Sequence, residues 1–308
     1  MGQKDMTSKM LESNNDVFAD MLNGFLFSGN TVVNESELTP ADKESHYKAE
    51  GKIRNQERDI SKRWHKATIQ IALFGYENQS DDDEFMALRV IGYDGADYRS
   101  QYKAKKTGEN GTGKAYPVIT LVIYFGNKDW KHGTNLHSCL EIPPELLPFV
   151  SDYKVNFFSI KDMTKEQIEK FHSDFKVIAE FFHALNNGED YHPTDQKLNH
   201  PEEVIDMISV FSGDERFRDE YNSMTDENKE GGVTMCEIYD KILQEGEAKG
   251  RAEGRAEGEA KGRAEGRAEG RIAALADLVK SGIISIVQAA EQEKMSVDEF
   301  RSKAGLAV

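Results

Sequence analysis

Cysteine is almost absent from this chain, and its two thiols, Cys139 and Cys236, lie far apart. Two widely spaced cysteines provide no disulfide framework, and no Cys-x-x-Cys pair is present to hold zinc. His132 and His137 lie near Cys139, but their spacing is not typical of a metal site. We interpret these three residues as ordinary surface or loop residues.

The chain also lacks a hydrophobic segment long enough to cross a bilayer. Its longest apolar run, from Val118 to Phe125, is much shorter than the roughly 20 residues that a membrane helix needs. The first residues are polar and contain no apolar stretch typical of a signal peptide. We therefore expect a cytoplasmic, reduced protein that does not associate with membranes.

Positive charge is scarce overall, since 39 Lys and Arg residues stand against 55 Asp and Glu residues and the formal net charge is −16. This balance excludes a protein that coats nucleic acid with a wholly basic surface. Two stretches differ: residues 52–66 contain six basic and two acidic residues, and residues 99–114 contain five basic and one acidic residue. If the fold brings them together, they could contact phosphates. Alternatively, both are solvated faces that offset acidic neighbours.

Hydrophobic periodicity predicts a mixed order of helices and strands in the first part of the chain. After a frayed start up to Asn14, the spacing of Val17, Phe18, Met21, Leu22 and Phe25 predicts a helix. Residues 34–50 are expected to be a polar connection. The predicted strands are Thr31–Val33, Gln56–Lys62, Thr68–Tyr76, Tyr116–Phe125 and Val155–Ile160, and the further helices are Glu84–Lys105, Thr164–Leu185, Pro201–Phe211 and Asp214–Met224.

The tail has a different character, because glycine recurs at every fourth position from Gly246 to Gly270. A helix advances about 100° per residue, so a period of four drifts around the helix and provides no steady coiled-coil seam. Each interior glycine costs a helix about 1 kcal/mol relative to alanine. Ion pairs at i,i+4 spacing, such as Glu247–Arg251 and Glu259–Arg263, favour a helix. We predict a marginal helix or a flexible spacer without chemistry of its own.

Three domains follow from these patterns. Residues 1–230 form the main domain, residues 231–271 are the repeat spacer, and residues 272–308 are a small helical module. The module is predicted to have short helices at Ile272–Val279 and Ile286–Glu293, and Ser296 begins a capping box for a third. It could mediate self-association, or it could be a simple helical cap.

Two acidic residues on neighbouring predicted strands are the strongest chemical signal. Asp59 lies in the strand candidate Gln56–Lys62, and Glu77-Asn78-Gln79 closes the next one. Side chains alternate along a strand, so Glu77 and Gln79 should share a face. Two carboxylates that meet across paired strands suit Mg²⁺, which takes one or two carboxylates and fills its other positions with water and phosphate oxygens. Such a site suits phosphodiester hydrolysis.

The element order and several motifs resemble the PD-(D/E)xK nuclease superfamily, and within it the recombination-promoting nuclease / putative transposase family. The resemblance covers about residues 14–270 and includes the repeat tail. The motifs that carry it are Asn15-Asp16-Val17-Phe18, Glu57-Arg58-Asp59-Ile60, Glu77-Asn78-Gln79, the segment 93–101 and the apolar strand 116–126. It implies an α/β, restriction-endonuclease-like fold, with a mixed central sheet flanked by helices and a helical C-terminal appendage.

The resemblance also implies a role for each matching residue. Asp59 and Glu77 would bind Mg²⁺ or Mn²⁺, with Asp16, or its rival Asp20, completing the site. Gln79 takes the place of the superfamily's lysine, and together with Asp59 and Glu77 it would form the catalytic set. Glutamine cannot act as a general base near neutral pH, so activation of water would fall more heavily on the metal.

DNA is the implied substrate. The residues expected to contact it are Arg58, Lys62, Arg63, Arg99 and Lys103. Tyr98 and Gln101 could also touch nucleic acid, or could cover the sheet instead. The sequence therefore predicts a metal-dependent DNA endonuclease that promotes recombination or transposon-related events. The alternatives are a catalytically silent nucleic-acid-binding module on the same fold, and an assembly protein that uses its tail.

Overall fold

The computed structural model describes residues 3–41, 44–49, 52–57, 60–66, 69–79, 81–107 and 114–306. Packing divides the chain into two units, Met1–Ile242 and Leu243–Val308. The described strands all lie in the first unit, among helices, so the fold is mixed α/β. Over these ranges no helix combines the length and the apolar character that a membrane crossing requires.

The elements follow one another in a mixed order. The strands are β1 (Leu38–Pro40), β2 (Glu44–Ala49), β3 (Lys52–Glu57), β4 (Ile60–Lys66), β5 (Ile69–Gln79), β6 (Val118–Tyr124) and β7 (Asn156–Ser159). The helices are α1 (Gln3–Glu12), α2 (Asn15–Phe27), α3 (Met86–Thr107), α4 (Lys165–Ile168), α5 (Phe175–Asn187), α6 (Pro201–Ser212), α7 (Arg216–Ser223), α8 (Asp226–Glu230), α9 (Met235–Lys280), α10 (Ile286–Gln292) and α11 (Val297–Ala304).

The main sheet has the strand order β1-β4-β5-β6-β7. Strands β1, β4 and β5 pair antiparallel, whereas β5, β6 and β7 pair parallel. Parallel neighbours need a long crossover, and α3 provides it between β5 and β6. Strands β2 and β3 form a separate antiparallel hairpin between β1 and β4 in the chain.

Strand β6 is the centre of the core, as its continuous apolar run predicted. Each of its residues except Ile119 is buried. Leu121 and Ile123 belong to the cluster that includes the buried residues of α2, α5 and α6, whereas Val122 packs with Met86 and Val90 of α3. Burial on both faces is what selects such a run for a central strand. The sheet is therefore covered by helices on both faces.

The start of the chain differs from the prediction. Residues 3–12 form α1, which contacts α6 and buries Leu11 and Glu12 completely. The strand predicted at Thr31–Val33 is wrong, because the Val32 and Val33 amides donate to Asn23 Oδ1 of α2 at 3.0 Å instead of pairing with a strand. The first strand of the sheet is β1, in the stretch expected to be a polar connection.

The helix predicted over Thr164–Leu185 is two helices, α4 and α5. Asp20 of α2 accepts hydrogen bonds from the His172 and Ser173 amides, both at 2.8 Å. Those amides lie between α4 and α5, so a contact from a distant helix satisfies groups that a continuous helix would have bonded internally. Local periodicity does not show this interruption.

In the second unit, the glycine repeat lies inside α9 and is helical. Arg251 Nη2 lies 2.6 Å from Glu247 Oε2, and Arg255 Nε lies 3.1 Å from Glu259 Oε1. These are the i,i+4 pairs that the alternating charges favour. Beyond the repeat, Ile272, Leu275 and Phe300 form a small core with Ala289 and Ala290. Ser296 accepts from the Glu299 amide, which confirms the predicted cap of α11.

Candidate metal and nucleic-acid site

Two of the three predicted catalytic residues, Glu77 and Gln79, lie at the carboxyl end of β5. In backbone register, Glu77 pairs with Val122 and Gln79 pairs with Tyr124. On the other side of β5, Ile60 at the start of β4 pairs with Tyr76. Asp59 and Arg58 lie outside the described residues. The predicted roles of Asp59, Glu77 and Gln79 stay predictions.

The middle residue of the tripeptide, Asn78, is part of the protein interior. Its Nδ2 donates to Glu12 Oε2 of α1 at 2.9 Å. Asn78 pairs with Ile123, which belongs to the core below α2. Since side chains alternate along a strand, Gln79 belongs to the opposite face, the one that α3 covers. The half-buried Gln79 also accepts from the Phe125 amide through its backbone oxygen, at 2.7 Å.

Acidic side chains surround the end of β6. A cavity of about 450 Å³ is lined there by Asp81, Asp82, Tyr124 and Lys128 among others. Burial raises the pKa of the Tyr124 hydroxyl, and the negative charges of Asp82 and Asp81 raise it further. His132 Nε2 lies 3.2 Å from Asp82 Oδ2. Asp81 and Asp82 therefore place two carboxylates at this edge of the sheet, beside Lys128, which lines the same cavity.

Asp16 lies at the start of α2 and is paired with a histidine. His200 Nε2 lies 3.0 Å from Asp16 Oδ1 and 2.9 Å from Oδ2. His200 is itself held by a hydrogen bond from its amide to Asp174 Oδ2 at 2.6 Å. Burial raises the pKa of the Asp174 carboxyl, although the hydrogen bond from the His200 amide opposes this shift. Sequence reasoning missed His200 because it lies 184 positions away from Asp16.

Asp20, the alternative to Asp16, accepts hydrogen bonds that have a structural role. Its Oδ2 accepts from the Ser173 hydroxyl at 2.8 Å, in addition to the two amides between α4 and α5. These three hydrogen bonds to one carboxylate oxygen connect α2 to the segment that precedes α5. A carboxylate bonded in this way is a poorer candidate for a metal ligand than Asp16.

Two of the basic residues predicted to contact DNA differ sharply in exposure. Lys62 is only 4% exposed, and its Nζ donates to Ser13 O and Asn15 Oδ1, both at 2.5 Å. Its ammonium also lies 5.0 Å from the centroid of the Phe18 ring. Arg63 is half-buried in the middle of β4, between β1 and β5, and its Nη1 donates to Pro40 O at 3.3 Å. Lys62 therefore tethers α2 to β4 in this structure.

The two basic stretches meet across the sheet at the other end of β5. Arg63 pairs with Leu73, Leu73 pairs with Val118, and the Val118 amide donates to the Tyr98 hydroxyl of α3 at 3.1 Å. Adjacent strands lie about 4.8 Å apart, so this row is about 10 Å from β4 to β6. Arg99 and Lys103 are exposed on α3 at the same end. The fold thus brings Arg63 and the basic residues of α3 to one end of the sheet.

Tyr98 and Gln101 connect α3 to the beginning of β6. Gln101 Oε1 accepts from the Tyr116 amide at 3.0 Å, and Gln101 Nε2 donates to Tyr116 O at 3.2 Å. Together with the Tyr98 bond to Val118, these contacts hold the strand against the helix. Gln101 is buried in these contacts, whereas the Tyr98 ring stays 42% exposed, so contact with nucleic acid stays a prediction for Tyr98.

Cys139, His132 and His137 do not form a site. Cys139 Sγ donates to Glu84 O at 3.1 Å, His137 Nε2 lies 2.9 Å from Val150 O, and His132 pairs with Asp82. Among the residues that the structure describes, no group of three His, Cys, Asp or Glu side chains could hold a metal ion. Asp59 lies outside these residues, so the Asp59 and Glu77 pair stays the predicted ligand set.

Comparison with known proteins identifies a related family. Residues 64–203 match the family model described as putative transposase, YhgA-like. The matched segment contains β5, α3, β6 and β7, and therefore includes Glu77, Gln79, Arg99 and Lys103. Asp16 and Asp59 precede it. Searches of curated proteins and of solved structures found no match.

Proposed function

We propose that this chain, whose residues 64–203 belong to the family described as putative transposase, YhgA-like, is a metal-dependent DNA endonuclease. Cleavage by such an enzyme would promote recombination or transposon-related events. One observation carries the proposal: Ile60 and Tyr76 are cross-strand partners. Asp59 directly precedes Ile60 in the sequence, and Glu77 directly follows Tyr76.

The order and pairing of the elements support a restriction-endonuclease-like core. One helix, three antiparallel strands, a crossover helix and a parallel strand follow each other as α2, β1, β4, β5, α3 and β6. This is the helix, strand, strand, strand, helix, strand order of the PD-(D/E)xK nucleases. The β2–β3 hairpin is then an insertion between the first two strands of that core.

The donor chemistry of Asp59 and Glu77 fits Mg²⁺ or Mn²⁺, which prefer carboxylate oxygens and keep water in their remaining positions. When bound, the metal would lower the pKa of a coordinated water so that it attacks the phosphodiester. Asp16 was the third predicted ligand, but α2 packs against the sheet face opposite to that of Gln79, and His200 pairs with the Asp16 carboxylate, so the proposal depends on Asp59 and Glu77.

Gln79 lies where the superfamily has a lysine. Its neutral amide can orient a water molecule or a phosphate oxygen by hydrogen bonds, but it supplies no positive charge to the transition state. The proposed DNA contacts are Arg58, Arg63, Arg99 and Lys103. Lys62 would join them only by leaving its bonds to Ser13 and Asn15.

Nicking of supercoiled plasmid by the full chain tests the proposal. We expect cleavage with Mg²⁺ or Mn²⁺ and none with EDTA. Asp59→Asn and Glu77→Gln should each lower the rate by more than about 100-fold, because even residues that only orient metal ligands are worth 10- to 100-fold. Asp219→Asn is the matched control, since Asp219 is an exposed acid on α7. Equal nicking by wild type, Asp59→Asn and Asp219→Asn would contradict the proposal.

The neutral Gln79 favours a second candidate, a catalytically silent DNA-binding module on the same fold. This candidate predicts salt-dependent DNA binding without nicking in any divalent metal. The two functions differ in one variant: Gln79→Lys should raise the nicking rate of an active enzyme and leave a silent module inactive. Self-association through the C-terminal region stays a prediction.

A further inference from the structure

We propose that the exposed face of the second half of α3 binds single-stranded DNA by stacking unpaired bases on tyrosine rings. This face, the α3 basic face, consists of Tyr98, Arg99, Tyr102, Lys103 and Lys106. The inference rests on the proposed function in taking DNA as the substrate, and it adds the class of DNA and the residues that select it.

Helical spacing places these residues in two adjacent rows. Tyr98, Tyr102 and Lys106 are separated by four positions each, as are Arg99 and Lys103. Residues at i and i+4 on a helix have their Cβ atoms about 5–6 Å apart, so each row is continuous. Aromatic and basic side chains therefore alternate over one surface, as they do in proteins that bind single strands.

The tyrosine rings are accessible and held in place. Tyr102 is 60% exposed and Tyr98 is 42% exposed. The Tyr98 hydroxyl accepts a hydrogen bond from the Val118 amide, so this ring is held against the beginning of β6. Lys106 Nζ lies 5.2 Å from the centroid of the Tyr102 ring, within cation–π distance. A base stacked on Tyr102 would therefore have an ammonium group beside it for its phosphate.

The charge of this segment matches a phosphate chain. Residues 98–107 contain four basic residues and no acidic one, in a chain whose net charge is −16. Lys105 and Lys106 lie in the last turn of α3, where the helix dipole already favours positive charge. Arg99 and Lys103 lie before that turn, so the dipole does not account for them. Arg63 extends the basic surface across β5 toward β4.

The α3 basic face lies well away from the proposed metal pair. Met86, at the start of α3, packs with Val122, the register partner of Glu77. Tyr102 follows Met86 by 16 positions, which is about 24 Å of helix. That length corresponds to about seven stacked nucleotides at 3.4 Å each. A strand bound on this face can therefore reach the carboxyl end of β5.

Exposed rings distinguish single strands from duplexes. Positive charge alone is enough to bind a phosphate backbone. A base, in contrast, can stack on a tyrosine ring only when it is unpaired and unstacked. Two accessible tyrosines within the basic surface therefore favour a single strand.

Binding of fluorescein-labelled DNA to the full chain, measured by anisotropy in EDTA, tests the inference. We expect Tyr102→Ala to weaken binding of a single-stranded 20-mer about 5- to 100-fold, the range for loss of one stacked base, and to change duplex binding less than twofold. Tyr102→Phe keeps the ring and should bind like wild type. Unchanged single-strand affinity in Tyr102→Ala, or an equal loss for the duplex, would overturn the inference.

The chain also offers a matched control for charge. Lys229 Nζ lies 4.3 Å from the centroid of the Tyr221 ring, so a second lysine–tyrosine pair exists outside this face. Lys106→Ala should lower the salt dependence of single-strand binding by about one counterion, and Lys229→Ala should not. An equal effect of both variants would contradict the assigned face.

The binding assay in EDTA is independent of the nicking assay. If Asp59→Asn nicks like wild type while Tyr102→Ala loses single-strand affinity, the endonuclease proposal fails and the binding face stands. If Asp59→Asn loses nicking while Tyr102→Ala binds normally, the binding face fails and the endonuclease stands.

Discussion

Glycine lies inside α2 of the first unit and along the repeat of α9, and its surroundings differ between these two regions. A Cβ added at Gly24 of α2 would overlap the ring of Phe171, a residue with no exposed surface. A Cβ added at any repeat glycine from Gly246 to Gly270 would meet nothing within 4 Å. Packing therefore requires a glycine at Gly24, whereas it does not require one at any repeat position from Gly246 to Gly270.

The same contrast holds for the polar residues of the two regions. Asp94 of α3 is 2% exposed and accepts hydrogen bonds from the Thr120 hydroxyl of β6 and from the Tyr153 hydroxyl. In the repeat, the ion pairs Arg251–Glu247, Arg255–Glu259 and Arg263–Glu259 each join residues of the same helix four positions apart. Hydrogen bonds thus join a helix of the first unit to the sheet, whereas these ion pairs of the repeat lie within one helix.

The largest expected effect on stability comes from removing the hydrogen bond between α3 and the sheet. Asp94→Ala should lower the free energy of unfolding of the first unit by about 3 kcal/mol, because it leaves the hydroxyls of the buried Thr120 and the half-buried Tyr153 without their acceptor. Trp64 and Trp130 are the two tryptophans of the chain and both lie in this unit, so urea unfolding followed by fluorescence measures it.

The control for Asp94→Ala is Glu257→Ala, an exposed acid of the repeat. Its effect on the same transition should stay within about 0.5 kcal/mol. A loss in Glu257→Ala as large as that in Asp94→Ala would show that the repeat is not self-contained.

An intermediate effect is expected at Gly24. Alanine is about 1 kcal/mol better than glycine inside a helix, but overpacking a buried site costs up to about 3 kcal/mol. The Phe171 ring cannot yield, because it packs against Phe25 and Phe175 at centroid distances of 5.0 Å and 4.9 Å. Gly24→Ala should therefore lower the fluorescence unfolding midpoint, by about 1–2 kcal/mol in free energy. A higher midpoint would show that the close contact with Phe171 relaxes.

The smallest effect per substitution, and one of opposite sign, is expected in the repeat. Replacing Gly250, Gly254 and Gly258 by alanine should stabilise α9 by up to about 1 kcal/mol per position, because only helix propensity changes. Circular dichroism at 222 nm during heating should show helix persisting to higher temperature, with the tryptophan transition unchanged. A loss of helix in this triple variant would mean that the repeat glycines contact something after all.

Much of the element order was predictable because it rests on local periodicity. The apolar run at Val118–Phe125 predicted the buried strand β6, and the spacing in residues 201–224 predicted α6 and α7 closely. The elements that were missed have little local signal. Residues 44–49 and 52–57 form β2 and β3 from a mostly polar sequence, and α1 contacts α6, which lies far along the chain.

The candidate site shows the same division. Sequence alone indicated Asp59, Glu77 and Gln79, since residue type and strand alternation are local properties. It did not indicate that Lys62 is buried beside Ser13 and Asn15, or that His200 pairs with Asp16. Exposure and partners at those positions depend on residues far away in the chain.

The sequence by itself determined the apolar run of β6, the caps and charge pairs of the tail, and the composition of the tripeptide that closes β5. Each is a property of residues within a few positions of one another. Only the tertiary structure decided that Ile60 pairs with Tyr76, that Arg63 and α3 meet at one end of the sheet, and that Gly24 must remain glycine. These outcomes depend on register and packing between segments distant in the chain, which local patterns do not specify.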